Sequence, residues 1–194
     1  MSTYTDVLSK LKTYPPPLLP PGRSYNTSTT ADIAELQLYP SLEAALHILN
    51  HDLPSAHFLV RKMEAPPAVE GMMCHAILHR IEGDYENSRL WYQDVARDSA
   101  GLELLQKAWG DENAGDKAGA FVNEVQALKE KKQGDRKDLE KRSLAEIMTV
   151  VKACEEKFGS GKWEDASAAW TKSPEKNQKM KEAMTTGAEG HRKF

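Results

Sequence analysis

Two consecutive helix hairpins, at residues 42–63 and 68–96, constrain the fold of this chain most. In each, an apolar-rich helical segment is followed across a short turn by a second one, and the turns contain Asp52 and Asp84. Aligning the two aspartates places Ala44 on Ala76 at an offset of 32 residues (84 − 52). Helix pairs that recur at such a period predict an all-α fold of stacked hairpins.

Further helices are predicted on both sides of the hairpins from apolar residues spaced three or four positions apart. They are expected at residues 2–14, 31–38, 121–132 and 144–158. We expect Thr30 to cap the second of these, and a polar, glycine-rich loop at 110–119. Ser143 and Glu146 form a capping-box pattern, which predicts that the last helix starts there. A third echo of the hairpin motif lies at 161–170.

The organisation predicted from composition is an arm, one helical domain and a tail. Residues 1–30 contain the run PPPLLPPG, which favours extended polyproline geometry. This arm is either a tether across the domain or a docking peptide for a proline-reading module. Residues 31–175 are the predicted domain, and residues 176–194 the polar tail.

Charge and cysteine content narrow the classes of function. The net charge is -3, which provides no positive field for nucleic acid, so we expect no nucleic-acid partner. No run of 18 apolar residues occurs, and the first residues lack the apolar stretch of a signal peptide, so no membrane association is expected. Cys74 and Cys154 form no CxxC pair, which favours a reducing compartment. We expect a soluble, cytoplasmic protein.

The most informative polar residues are His75, His79 and Glu82, at positions i, i+4 and i+7 of one predicted helix. At 100° per residue they lie within a sector of about 60°. His57 lies on the preceding predicted helix. In a stacked hairpin the two positions of the histidine pair face neighbouring helices, where a buried imidazole needs partners for its nitrogens.

A metal ion is one such partner, and the predicted ligands are His57, His75, His79 and Glu82. Three imidazoles and a carboxylate suit zinc, or iron with open coordination positions. Two other interpretations remain open. The imidazoles can form a buried hydrogen-bond network with Glu82, Asp84 or Tyr85, or they can lie on the surface without a role.

If the site is catalytic, the metal polarises a substrate or activates water, and Arg80 and Glu82 are the predicted catalytic residues. Arg80 would orient an anionic group through its two-pronged guanidinium. The alternative for Arg80 is an ion pair with Glu82, Asp84 or Glu86.

Other rings near the turns are expected to be less informative. His47 and His51 flank the first turn and are expected to be exposed. Trp91 and Tyr92 are expected in the core rather than as a stacking platform for a ligand.

The segment GDYENS at 83–88, with small residues before it and an aromatic pair after it, resembles a tetratricopeptide repeat. The pattern H-x3-H-R-x-E-x-D-x2-N, from His75 to Asn87, is similar to one in a group of uncharacterised bacterial and fungal proteins. The first resemblance implies stacked TPR-like hairpins, and the second implies no particular reaction. From the cluster of His57, His75, His79 and Glu82 we expect a small-molecule-binding protein or metal-dependent enzyme. The alternative is a TPR-type interaction module that binds a partner peptide without catalysis.

Overall fold

The computed structural model describes residues 2–171, and within that range the protein consists of α-helices and one short 3-10 helix, with no strand. The all-α prediction is therefore confirmed for this part of the chain. The α-helices, in order, are α1 Tyr4–Leu11, α2 Thr27–Glu35, α3 Pro40–Leu49, α4 Leu53–Val60, α5 Val69–Glu82, α6 Tyr85–Arg97, α7 Ser99–Trp109, α8 Ala114–Lys131 and α9 Arg136–Phe158.

The centre of the structure is α5, which contacts α3, α4, α6, α7 and α9. Thirteen of its 14 residues are buried, and only Glu82 at its end is not. A helix that is covered on all sides usually has apolar residues all round. The sequence of α5 instead includes two histidines, an arginine and a glutamate within this buried stretch, so each of these polar groups needs a partner.

The two predicted hairpins are present, as α3–α4 and α5–α6. Their turns are alike: His51 and Gly83 both have left-handed backbone angles, with φ of 58° and 91°. The next residue in each turn caps the second helix, Asp52 by accepting from the Ser55 amide and Asp84 by accepting from the Asn87 amide. The third echo, at 161–170, is different because it contains only a 3-10 turn after the end of α9.

Two predicted helix starts, those of α2 and α8, lie later in the sequence than the starts in the structure. Helix α2 begins at Thr27, with the side chain of Asn26 as its cap. The hydroxyl of Thr30 donates instead to Asp52, at 2.9 Å. Helix α8 begins at Ala114, inside the segment 110–119 that was predicted to be a loop.

Helix α9 is continuous from residue 136 and does not restart at Ser143. Asp135 caps it by accepting from two backbone amides. Ser143 is buried in the middle of the helix, where its hydroxyl donates to the carbonyl oxygen of Pro17. That contact brings the proline-rich segment against the helices, where Leu18 is buried.

None of the helices in residues 2–171 is long and apolar enough to cross a membrane. The predicted tail at 176–194 and the last residues of the predicted domain lie outside the described residues.

Candidate metal centre

Three imidazoles meet at the interface of α4 and α5. His57 comes from α4, and His75 and His79 come from successive turns of α5. One ring nitrogen of each lies within 4.8 Å of the corresponding nitrogens of the other two. The rings of His75 and His79 are parallel, with centroids 5.8 Å apart, and His57 meets both edge-on at 5.3 Å. The predicted convergence of these residues is therefore present in the structure.

The separation of the nitrogens is close to what a metal ion requires. Zinc–nitrogen bonds of about 2.0–2.1 Å in a tetrahedral site place the nitrogens roughly 3.3 Å apart. The imidazoles would close by at most about 1.5 Å to reach that geometry. His75 and His79 are buried, whereas the His57 side chain is 39% exposed, so the cluster opens to solvent on the α4 side.

The carboxylate of Glu82 lies against two of the three rings. Its two oxygens lie 3.4 Å from Nδ1 of His57 and 3.3 Å from Nδ1 of His79. Burial on its own raises the pKa of Glu82, but hydrogen bonding and charge interactions with His57 and His79 outweigh it and lower that pKa to about 2. Glu82 is therefore an ionised group that lies beside the same nitrogen, Nδ1, of both rings.

Two side chains of α6 complete the surroundings. The amide nitrogen of Asn87 lies 3.1 Å from Nε2 of His79. The indole of Trp91 stacks on His75, with centroids 4.4 Å apart and planes 13° apart. Tyr92 is a core residue as expected, but Trp91 is only partly buried and supports a site residue instead. The four-residue spacing of Asn87 and Trp91 was the signal in the sequence, because it places both on one face of α6.

The structure places Arg80 away from the imidazoles. Its side chain is fully buried and pairs with Glu146 of α9 at 2.7 Å. The expected ion pairs with Glu82, Asp84 or Glu86 are therefore wrong. Adjacent helical residues point about 100° apart, so Arg80 faces α9 while His79 faces α4 and α6.

The guanidinium of Arg80 has no room for an anionic ligand. It also donates to the hydroxyl of Ser143, at 3.1 Å, and lies over the ring of Phe121. The other oxygen of Glu146 accepts from Tyr92 and Trp109, at 2.7 and 3.0 Å. In this structure, Arg80 belongs to an enclosed polar network that joins α5 to α9.

The remaining histidines lie outside the cluster. His47 was expected to be exposed, but it is buried, with Nδ1 3.3 Å from Asp52 and Nε2 3.9 Å from Glu43. The position is covered because the turn beside it packs against α2. His51 is partly exposed and contacts the carbonyl oxygen of Pro15 at 2.8 Å.

Comparison of the chain with protein-family models, with curated proteins and with solved structures finds no match. The TPR-like resemblance and the resemblance of the His75–Asn87 pattern stay predictions.

Proposed function

We propose that His57, His75 and His79 bind a divalent transition metal, zinc or iron. On this proposal the protein is a small-molecule-binding protein or a metal-dependent enzyme. The observation that supports it most is the approach of three imidazole nitrogens, from two helices, to within 4.8 Å of one another. Imidazole is a preferred ligand of both metals, and two histidines one helical turn apart are well suited to share an ion.

Glu82 supports the proposal as a partner of the ligands. A metal-binding histidine usually donates its second ring N–H to a carboxylate, which fixes the ring and makes the coordinating nitrogen more basic. Glu82 lies close enough to Nδ1 of His57 and of His79 to accept from both. In this arrangement Nε2 is the nitrogen of each of these two rings that would bind the metal, and Glu82 orients the ligands rather than binding the ion itself.

The exposure of His57 supports a reactive or ligand-binding site over a purely structural one. Catalytic zinc sites have three protein ligands and one open position, whereas structural sites are closed by four. The metal would supply a Lewis acid that polarises a substrate or activates water. Glu82, whose pKa is lowered to about 2, is a weak base, so its role there would be to orient His57 and His79. Arg80 is fully buried and paired with Glu146, so the proposal gives it no role in orienting a substrate.

Metal analysis of tag-free protein tests the proposal. The wild type, stripped with a chelator and reconstituted with zinc or ferrous iron, is expected to retain about one equivalent of metal after desalting. His57→Ala is expected to lose it while staying folded, because that side chain is partly exposed. The double variant His75→Ala/His79→Ala is expected to lose it as well. His51→Ala, which removes an imidazole outside the cluster, is the matched control.

A wild type that retains no metal after reconstitution overturns the proposal. Retention of the full equivalent by His57→Ala and by the double variant does so too, since the ion would then lie elsewhere.

A second candidate is an interaction module without chemistry, which binds a partner peptide. Two large apolar side chains favour it: Phe58 on α4 and Leu90 on α6 are 61% and 57% exposed. Both helices pack against α5. In this case the histidines only stabilise the helix interface, and the reconstituted wild type contains no metal. Under either proposal the two cysteines are buried free thiols, which suits the reducing cytoplasm.

A further inference from the structure

The contact between Asn87 and His79 determines which nitrogen of this ring carries the proton. The amide nitrogen of asparagine only donates hydrogen bonds. It lies 3.1 Å from Nε2 of His79, so Nε2 has to accept and is unprotonated. The ring proton of the neutral imidazole then lies on Nδ1, which is 3.3 Å from Glu82. The position of the Glu82 carboxylate agrees with the tautomer that the Asn87 contact requires.

The same contact occupies the lone pair that a metal needs. In the tautomer with the proton on Nδ1, Nε2 is the only nitrogen of His79 that can coordinate an ion. One lone pair serves either the Asn87 amide or the metal, and not both. Metal binding therefore requires the amide of Asn87 to leave Nε2.

We propose that Asn87 is a positioning residue of the metal site, which holds His79 in the coordinating tautomer and covers its Nε2 lone pair until a metal displaces the amide. This inference rests on the proposed function. The hydrogen bond from Asn87 keeps the His79 ring in the tautomer that metal binding requires. Because the same amide competes with the metal for Nε2, it also makes metal binding more readily reversible.

The position of Asn87 allows its side chain to leave without a change in the backbone. Asn87 lies in the first turn of α6 and is partly exposed. Its backbone amide is held separately by the capping carboxylate of Asp84, at 3.3 Å. Rotation of the side chain into solvent breaks one neutral hydrogen bond and leaves the helix start intact.

The first measurement is the tautomer in the metal-free protein, read from two-bond nitrogen–hydrogen couplings in the NMR spectrum of the histidine rings. We expect His79 of the wild type to carry its proton on Nδ1. Asn87→Asp replaces the donor by an acceptor, so Nε2 of His79 is expected to carry a proton, while Nδ1 can keep its own beside Glu82. A wild-type ring protonated on Nε2 overturns the proposal. An Asn87→Asp ring whose Nε2 stays unprotonated does so too, because position 87 would then not control that nitrogen.

The second measurement is zinc affinity, from competition with a chromophoric chelator. Removal of the competing hydrogen bond in Asn87→Leu is expected to strengthen zinc binding about five- to tenfold. Asn87→Ser, whose side chain is too short to reach the ring, is expected to change in the same direction and covers the case in which leucine disturbs folding. The control is Asn123→Leu on α8. Its amide oxygen accepts a hydrogen bond from Arg89, which the substitution removes. This variant is expected to bind zinc like the wild type.

The outcomes separate the two proposals. Equal or weaker zinc binding by both Asn87→Leu and Asn87→Ser overturns the competition but leaves the metal site standing. No zinc binding by the wild type overturns the proposed function and the competition together.

Discussion

Replacement of Arg80 by methionine tests the energetic role of the buried pair between α5 and α9. Methionine retains much of the aliphatic length of arginine but removes the cation. The substitution leaves the carboxylate of Glu146, which is 1% exposed, without its ionic partner. Tyr92 and Trp109 still donate to one of its oxygens.

The expected cost is about 4 kcal/mol of unfolding free energy at pH 7. Loss of one partner from a buried ion pair typically costs about 3–5 kcal/mol, because the other charge stays buried. An independent bound comes from protonation of the carboxyl. For a glutamate with an ordinary pKa of about 4.3, taking up a proton at pH 7 costs about 3.7 kcal/mol.

Urea unfolding followed by circular dichroism at pH 7 measures this deficit. Arg97→Met is the matched control, because Arg97 is 73% exposed and pairs with Asp94 on the same helix. Exposed pairs contribute less than about 1 kcal/mol. A deficit below 1 kcal/mol for Arg80→Met, or one no larger than that of Arg97→Met, refutes the reasoning.

Three other perturbations have definite expected outcomes. Glu82→Gln should remove stability that the wild type has above pH 4.5 and loses as the pH falls toward 2, because the pKa of Glu82 is lowered to about 2. A difference in unfolding free energy between wild type and variant that stays constant from pH 6 to pH 3 in urea contradicts this. Gly71→Ala should cost about 1–3 kcal/mol in the same assay, because the added carbon would lie 2.5 Å from Cβ of Met63, which cannot swing away. A cost under 0.5 kcal/mol would show that α5 and the segment after α4 separate freely. Cys74 and Cys154 should resist Ellman's reagent in the folded protein and react on unfolding. Both are buried, and burial raises the pKa of each thiol, that of Cys154 to about 12. Rapid labelling of either thiol in the folded protein would contradict this prediction.

The class of fold and the position of the imidazoles could be predicted from the sequence because both follow from helical periodicity. The spacing of His75 and His79 places them on one face of α5 wherever that helix packs. The adjacent hairpin brings His57 to the same face. Asn87 and Trp91 follow from the same rule on α6, once their four-residue spacing is considered.

The partner of Arg80 could not be predicted in this way. Glu146 is 66 residues further along the chain, and nothing local to either residue indicates their pairing. The predicted start of α9 was also wrong, because the pattern at Ser143 fits a capping box. The Ser143 hydroxyl instead donates to the carbonyl oxygen of Pro17, a long-range partner that takes the place of a local capping contact. Local rules therefore located the site, while the contacts that hold its helix in place depended on tertiary structure.

The burial of α5 has a consequence for which ions would fit. Because neighbours enclose this helix on every side, the span between His75 and His79 is set by a backbone with nowhere to shift. His57 lies on an eight-residue helix with a solvent-facing side, so on the proposed function it would be the ligand that adapts to a larger or smaller ion. Substitutions in the segment that follows α4, which alter how this helix is held without replacing a residue of the cluster, should therefore tune the preference among metals.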